Sequence, residues 1–246
     1  MNSLILCEGK TDCILLQYYM EKVHSWIRIA GNTFHAVNGA WSNSFKKNDS
    51  KLIISETKGC SRLAEGLITA VLRNMNAAPG NKDDFFDKII IFTDNDEIDT
   101  PQNMIADIQN KLCTVPASLA GTIKKNIWNQ ISIQSIEGIK NFELYIMFIP
   151  FDENGALETY LLNCIGNNDA YDKIIIDKSK GFIDTIDPNE KYLNQRRLKT
   201  KAKFDVYFSV RTAADQYSER QNILKSVAWE NYDTIRTDFS IFKDLG

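Results

Sequence analysis

The feature that most constrains this chain is the segment 88–93 (Lys-Ile-Ile-Ile-Phe-Thr), which has a continuous apolar centre and leads directly into the acidic segment 94–97 (Asp-Asn-Asp-Glu). Successive branched aliphatic side chains predict a β-strand that is buried on both faces, as in the parallel sheets of α/β proteins. Asp94 and Asp96 are two residues apart, so one more extended residue places both carboxylates on the same side. The run therefore predicts a central strand that ends in an acidic pair.

The amino-terminal segment repeats this arrangement. A short apolar run at residues 3–7 ends at Glu8, and apolar side chains then recur at helical spacing over residues 14–23. The pattern predicts a strand, a tight turn and a helix, and the side-chain oxygen of Thr11 or Asp12 suits the helix N-cap. A carboxylate such as that of Glu8 at the end of a buried strand is unfavourable without a cation or hydrogen-bond donors nearby.

The remaining apolar pattern alternates between strands and helices. Further strands are predicted at residues 34–37, 52–55 and 145–149, and further helices after residues 58–59 and after residue 101. Such alternation is typical of an α/β fold with a mostly parallel sheet flanked by helices, whose functional crevice lies at the carboxyl ends of the strands. Helical spacing from residue 156 onward predicts a mainly helical carboxyl-terminal extension. We predict an α/β domain over residues 1–165 and a helical extension packed on it over residues 166–246.

Composition narrows the class of protein. The 246 residues are 43% hydrophobic and 25% charged, with a formal net charge of -3. This balance is typical of an ordered globular chain and excludes the strongly basic composition of many nucleic-acid binders, although a local basic patch is compatible with it. The five cysteines include no C-x-x-C pair, so neither a disulfide framework nor a zinc cluster is expected. No apolar run approaches the roughly 20 residues of a membrane span, and we expect a cytoplasmic protein that does not enter a membrane.

Two segments carry a family resemblance. Residues 7–12 (Cys-Glu-Gly-Lys-Thr-Asp) and 92–96 (Phe-Thr-Asp-Asn-Asp) resemble the two signature motifs of the Toprim superfamily. Topoisomerases, bacterial primases, recombination proteins and OLD-type nucleases share this fold. The form Glu-Gly-x-Thr-Asp is most similar to that of OLD-type and small standalone Toprim proteins. The resemblance covers roughly residues 4–162 and implies a Rossmann-like Toprim fold.

The resemblance also implies a metal-dependent reaction. Glu8 is expected to be the acid–base or metal-binding glutamate, and Asp94 and Asp96 are expected to bind Mg²⁺ (or Mn²⁺). Mg²⁺ prefers a few carboxylates together with waters and substrate phosphate over a complete protein cage. The implied chemistry is hydrolysis of phosphodiester bonds in nucleic acid, with DNA favoured over RNA, in phage defence or DNA repair.

Other residues are implied as parts of the same crevice. Lys58 is expected to be a further catalytic residue, and Gly9 and Gly59 are expected to lie beside the bound ion. Asp12 and Glu158 are additional candidate metal ligands. For Asp12 we favour capping of the first helix, and for Glu158 a helix-dipole or capping role is an equal alternative.

The sequence departs from OLD-type nucleases in one respect. It contains no Walker motif (G-x-x-x-x-G-K-[ST]), so a separate protein is the expected source of an ATPase. A non-catalytic or partner-activated Toprim module that binds nucleic acid is therefore an alternative. The basic stretch 196–203 fits either a phosphate-binding helix face or an ordinary solvated one.

Enzymes of other classes also use an Asp-x-Asp pair. A nucleotide-sugar transferase explains Asp94 and Asp96 through a metal-bound diphosphate, but it gives Glu8 no role. In phosphatases of the haloacid-dehalogenase type the pair follows the first strand of the domain, whereas here it follows a later one. The nuclease interpretation therefore ranks first.

Overall fold

A computed structural model describes residues 1–31, 34–78, 80–81, 84–119, 121–151, 153–214 and 219–246 of the chain. These residues form two compact units, of which the first comprises Met1–Phe148 and Ile241–Gly246 and the second comprises Ile149–Ser240. The predicted domain boundary at residue 165 stays a prediction. In the described ranges no helix has both the length and the apolar character needed to cross a membrane.

A mixed sheet forms the centre of the first unit. In the described residues its eight strands are β1 (Asn2–Cys7), β2 (Ile27–Ile29), β3 (Ser42–Lys47), β4 (Ser50–Glu56), β5 (Lys88–Asp94), β6 (Ala117–Leu119), β7 (Trp128–Ser135) and β8 (Gly138–Ile149). Their order is β2-β3-β4-β1-β5-β8-β7-β6. Strand β1 pairs in parallel with both β4 and β5, so the carboxyl ends of these three strands meet at one edge of the sheet.

Helices α1 (Lys10–His24), α2 (Leu63–Met75) and α3 (Thr100–Leu112) pack on this sheet. Leu4 and Leu6 belong to one buried cluster with apolar side chains of α2 and α3. Because side chains alternate along a strand, Cys7 lies on the other face, where its thiol contacts that of Cys13 on α1. The sheet thus has helices on both faces, and the prediction of an α/β fold is confirmed.

The sheet differs from the prediction in its strand directions. The pairs β2–β3, β3–β4, β6–β7 and β7–β8 are antiparallel, so the sheet is mixed and only its centre is parallel. Two-residue turns explain the pairs β3–β4 and β7–β8, because strands joined by so short a connection can pair only in an antiparallel manner. Residues 34–37, which we predicted as a strand, form none, while the mostly polar residues 42–47 form β3.

The second unit is helical in the region where helical spacing predicted it. Its helices are α4 (Leu157–Asn168), α5 (Ala170–Ile186), α6 (Arg196–Arg211), α7 (Arg220–Ser226) and α8 (Asp233–Asp238). Helix α5 packs against both α4 and α6. Ile176 and Ile183 on α5, and Phe204 and Phe208 on α6, are buried, so apolar contacts between these helices stabilise the unit.

Candidate functional site at the carboxyl ends of the parallel strands

Glu8 directly follows β1, and its carboxylate reaches the end of β5. Its Oε1 atom accepts a hydrogen bond from the Thr93 hydroxyl at 2.5 Å and another from the Asp94 backbone amide at 3.0 Å. The parallel register aligns Cys7 with Phe92, which makes the residues after them neighbours. Two donors to one oxygen compensate for the partial burial of this carboxylate.

The acidic pair continues the line of β5. Asp94 is the last residue of the strand, and both Asp94 and Asp96 are half-buried. Asn95 between them is only 6% exposed. This alternation is that of an extended chain, so Asp94 and Asp96 lie on one side, as their spacing predicted. The edge therefore carries the carboxylates of Glu8, Asp94 and Asp96.

The loop after β4 is attached to the same edge. The Thr57 hydroxyl donates to the carbonyl oxygens of Cys7 at 3.0 Å and Gly59 at 3.1 Å. The Gly59 amide donates to the Glu8 carbonyl oxygen at 2.7 Å. Gly59 has a φ of 128°, which side-chain-bearing residues rarely adopt, so glycine is required at this position.

Lys58 precedes that glycine on the loop. It has a φ of 63°, which is uncommon for residues other than glycine and occurs often at functional sites. Its exposed amino group donates to the Asn38 carbonyl oxygen at 3.2 Å. The structure thus brings the Lys58 backbone to the edge, and a catalytic role for its side chain stays a prediction.

Asp12 has a structural role at the start of α1. Its Oδ2 atom accepts a hydrogen bond from the Gly9 amide at 2.9 Å, as the acidic residue of a capping box does. The N-cap residue is Gly9, so the prediction of Thr11 or Asp12 at that position is wrong by two or three residues. Capping was our favoured interpretation of Asp12, and metal binding by Asp12 or beside Gly9 stays a prediction.

Sequence reasoning did not single out Cys60, which lies near the acidic edge. Its thiol is exposed at the surface. Partial desolvation, followed by the negative charge of Glu8 and more weakly of Asp96, raises the pKa of this thiol. The negative potential of the acidic edge therefore acts on this thiol. The only signal in the sequence was its position directly after Lys58-Gly59.

The second unit holds Glu158, the remaining candidate ligand. It lies in the first turn of α4 and is only 5% exposed. Its Oε1 atom is 3.9 Å from Nε of Arg220, and the Arg220 guanidinium also pairs with Asp205 at 2.5 Å. A buried acid at a helix start is stabilised by the helix dipole and by this cation. The structure supports the alternative interpretation of Glu158, and its role as a ligand stays a prediction.

The donor atoms at the edge suit a hard cation. Carboxylate oxygens are the protein ligands that Mg²⁺ prefers, and one or two of them suffice because Mg²⁺ retains several waters. Over the described ranges, however, no group of three or more His, Cys, Asp or Glu side chains is arranged to hold a metal ion. The donor atoms at this edge are therefore of the type that Mg²⁺ prefers, and the protein would supply only a few of the ligands of the ion.

A cavity of about 990 Å³ opens at the opposite edge of the sheet, beside Asn2 and Lys88 at the starts of β1 and β5. Its lining contains none of the predicted site residues. The Lys88 amino group lies 3.4 Å from Glu143, and Lys140 pairs with Glu137. Because these charges are already paired, the acidic edge is the stronger candidate site.

The fold and this edge define an α/β protein with an acidic site where three parallel strands end. Residues 2–243 match the family described as "Protein of unknown function (DUF3226)", and the chain belongs to that family. No curated protein matches it.

Among solved structures, the chain is similar to the hypothetical protein PH0156 from Pyrococcus horikoshii OT3. The two are 16% identical, with a TM-score of 0.50 over 98% of this chain and 99% of that chain, a likeness that shows the fold alone. A glyoxalase/bleomycin resistance protein/dioxygenase family enzyme from Burkholderia phytofirmans PsJN is 10% identical over 58% of this chain and 95% of that chain. Its TM-score of 0.19 carries no argument.

Proposed function

We propose that this protein is a Toprim-type nuclease that hydrolyses phosphodiester bonds in nucleic acid with Mg²⁺ (or Mn²⁺). The observation that carries the proposal is the pair of hydrogen bonds from Thr93 and Asp94 to Glu8. They join the two acidic motifs at the carboxyl ends of adjacent parallel strands, where α/β proteins bind their ligands.

Asp94 and Asp96 would hold the metal ion, since they extend from one strand on the same side and are half-buried. The ion, when bound, supplies positive charge that stabilises the transition state of phosphoryl transfer. Glu8 is held at Oε1 by two donors, so its carboxylate is already oriented. In this proposal Glu8 accepts or donates the proton that hydrolysis requires.

In this proposal Lys58 is the cation of the site. The backbone amide of its neighbour Gly59 donates a hydrogen bond to the Glu8 carbonyl oxygen. The amino group of Lys58 is exposed. In this proposal Lys58 exchanges its contact with Asn38 for a substrate phosphate, which a flexible ammonium binds well. DNA is the favoured substrate, and a role in phage defence or DNA repair with a separate ATPase partner belongs to the same proposal.

The test is cleavage of supercoiled plasmid, single-stranded DNA and RNA in Mg²⁺ or Mn²⁺. We expect cleavage to require metal and to fall by about 100-fold or more in Glu8→Gln, because general acid–base groups contribute 10²–10⁴-fold. Asp94→Asn is expected to lose both cleavage and metal affinity. Glu97→Gln is the matched control, since Glu97 is an exposed acid just beyond the pair. Cleavage without metal, or equal cleavage by Glu8→Gln and the native protein, would refute the proposal.

A second candidate is a nucleic-acid-binding module that is non-catalytic or needs a partner for activity. The absence of a group of three metal-ligating side chains from the described residues favours it. This candidate predicts Mg²⁺ binding that depends on Asp94, without cleavage of any of the three substrates. A nucleotide-sugar transferase ranks lower because it gives no role to Glu8. The carboxylate of Glu8 accepts a hydrogen bond from the Asp94 amide at the end of β5.

A further inference from the structure

The basic segment 191–203 of the second unit contains six lysines and arginines and no acid. Lys199 lies 2.7 Å from Glu190 and Lys203 lies 2.7 Å from Asp184, so the charges of both lysines are paired. The helix face that the sequence suggested for phosphates is therefore largely neutralised. The basic side chains that are exposed, those of Lys191, Arg196 and Arg197, lie instead towards the start of the segment.

The loop at this start is ordered by Asp187. Its carboxylate accepts hydrogen bonds from the backbone amides of Lys191 at 3.1 Å, Tyr192 at 2.7 Å and Leu193 at 2.8 Å. The bonds from Leu193 and Tyr192 are the main causes that lower the pKa of Asp187. The negative charge of Asp187 is thus directed at the backbone of the loop.

The loop presents an aromatic ring to solvent. Tyr192 is 70% exposed, and the Lys191 amino group lies 4.9 Å from the centroid of its ring. A single exposed aromatic residue is ordinary on a protein surface. An exposed ring beside several cations is what nucleic-acid-binding surfaces use, because bases stack on the ring while phosphates contact the cations.

Helix α6 begins immediately after this loop with two arginines. Arg196 and Arg197 are exposed, and the first turn of α6 contains no acid. Positive side chains at a helix start are unfavourable because they face the positive end of the helix dipole. A bound phosphate would offset this repulsion at Arg197, and a local rule broken in this way is typical of functional surfaces.

We propose that Lys191, Tyr192, Arg196 and Arg197 form a surface that binds single-stranded nucleic acid. The basic side chains contact its phosphates, and Tyr192 stacks against one base. A single strand fits better than a duplex, since only an unpaired base can leave its neighbours and stack on a side chain. The choice of nucleic acid as the polyanion rests on the proposed function.

The test is fluorescence anisotropy with a fluorescein-labelled oligothymidylate of about 20 nucleotides, which exceeds the usual site size for one binding module. EDTA is present so that no metal-dependent cleavage occurs. We expect Tyr192→Ala to weaken binding by about 5-fold or more, as loss of one stacked base does, and Tyr192→Phe to bind normally. Arg196→Gln and Arg197→Gln should each reduce the slope of log Kd against log salt concentration by about 0.7.

Tyr171→Ala is the matched control, because Tyr171 is 72% exposed on α5 in the same unit. It should bind as the native protein does. The proposal is overturned by no binding at low salt, by equal losses in the Tyr192 and Tyr171 variants, or by equal affinity for duplex DNA or inorganic polyphosphate. If binding depends on Tyr192 but the cleavage assay with metal shows no activity, the nuclease function is rejected and the proposed binding surface is supported. If the protein cleaves nucleic acid but its binding does not depend on Tyr192, the nuclease function is supported and the proposed binding surface is rejected.

Discussion

The backbone amide of Asp94 donates a 3.0 Å hydrogen bond to Oε1 of Glu8, which lies 86 positions earlier in the chain. The Thr93 hydroxyl donates to the same oxygen. Both bonds depend on the parallel pairing of β1 with β5. Contacts within the protein therefore orient the Glu8 carboxylate before any ligand binds, which is the requirement for a preorganised site.

Removal of the Thr93 hydroxyl tests this orientation. Thr93 is 1% exposed, and Thr93→Val keeps the shape of the side chain but leaves Glu8 with one donor fewer. We expect the free energy of unfolding, measured with urea, to fall by about 1–3 kcal/mol, since hydrogen bonds to charged groups contribute about that much. Cleavage should fall in parallel, and Thr93→Ser should restore both. Native stability and cleavage in Thr93→Val would show that the hydroxyl does not position Glu8.

Substitution of Asp12 separates capping from metal binding. Asp12→Ala removes the acceptor for the Gly9 amide, and we expect it to lower the free energy of unfolding by about 1 kcal/mol. Asp12→Asn retains an acceptor oxygen and should recover most of that loss. Calorimetric titration with Mg²⁺ provides the second measurement. Unchanged Mg²⁺ affinity in Asp12→Asn supports capping alone, whereas weaker affinity in this stable variant would assign Asp12 to the metal.

Packing behind the site is tested at Gly66 on α2. A Cβ atom at Gly66 would lie 2.9 Å from Cγ2 of Thr57 and 3.2 Å from Cβ of Ala36. Thr57 is fully buried and cannot move without breaking its bonds to Cys7 and Gly59. We therefore expect Gly66→Ala to lower the free energy of unfolding by about 1–3 kcal/mol and to reduce cleavage.

The matched control is Gly181→Ala in α5. A Cβ atom there meets nothing within 4 Å, and alanine favours helices over glycine by about 0.5–1 kcal/mol. This variant should therefore be as stable as the native protein or more stable. Urea denaturation of both variants distinguishes local crowding at Gly66 from a general effect of alanine, and equal effects would contradict the packing argument.

The sequence predicted those elements whose own residues determine their burial. Strand β5 is apolar at residues 89–92 and is buried there on both faces, so its pattern needs no knowledge of its neighbours. Strand β3 has one apolar residue, Phe45, and forms because a two-residue turn pairs it with β4. Residues 34–37 show the converse, since Phe34 and Ala36 are buried in a segment that belongs to no strand. Apolar patterns predict burial more directly than they predict hydrogen-bonded pairing.

The candidate site shows the same division. The positions of Glu8, Asp94 and Asp96 at strand ends were predictable, because acids interrupt apolar runs visibly. The donors to Glu8 were not, since they depend on the register between strands that lie far apart in sequence. The proximity of Cys60 to Glu8 was equally inaccessible, because it depends on the loop that Thr57 and Gly59 fix to β1.

The thiol of Cys60 provides a measurement of the charge at this edge. Desolvation and then Glu8 and Asp96 raise its pKa, so at pH 8 its reactive thiolate fraction is smaller than that of an ordinary cysteine. Neutralising an acid lowers that pKa and increases the thiolate fraction at pH values below it. We therefore expect iodoacetamide to label Cys60 faster in Glu8→Gln than in Asp96→Asn, and slowest in the native protein.

Peptide mass spectrometry follows the labelling of Cys60 from pH 7 to pH 10, with the exposed Cys113 in the same samples as an internal control. The three proteins should differ least at the highest pH, where the thiolate fraction of Cys60 is largest in each. If Mg²⁺ binds at the edge, it should accelerate labelling of native Cys60, because the cation offsets the carboxylate charge. It should have no such effect in Asp94→Asn. Equal rates for Cys60 in the native protein and both acid variants would place Glu8 and Asp96 too far away to act on this thiol.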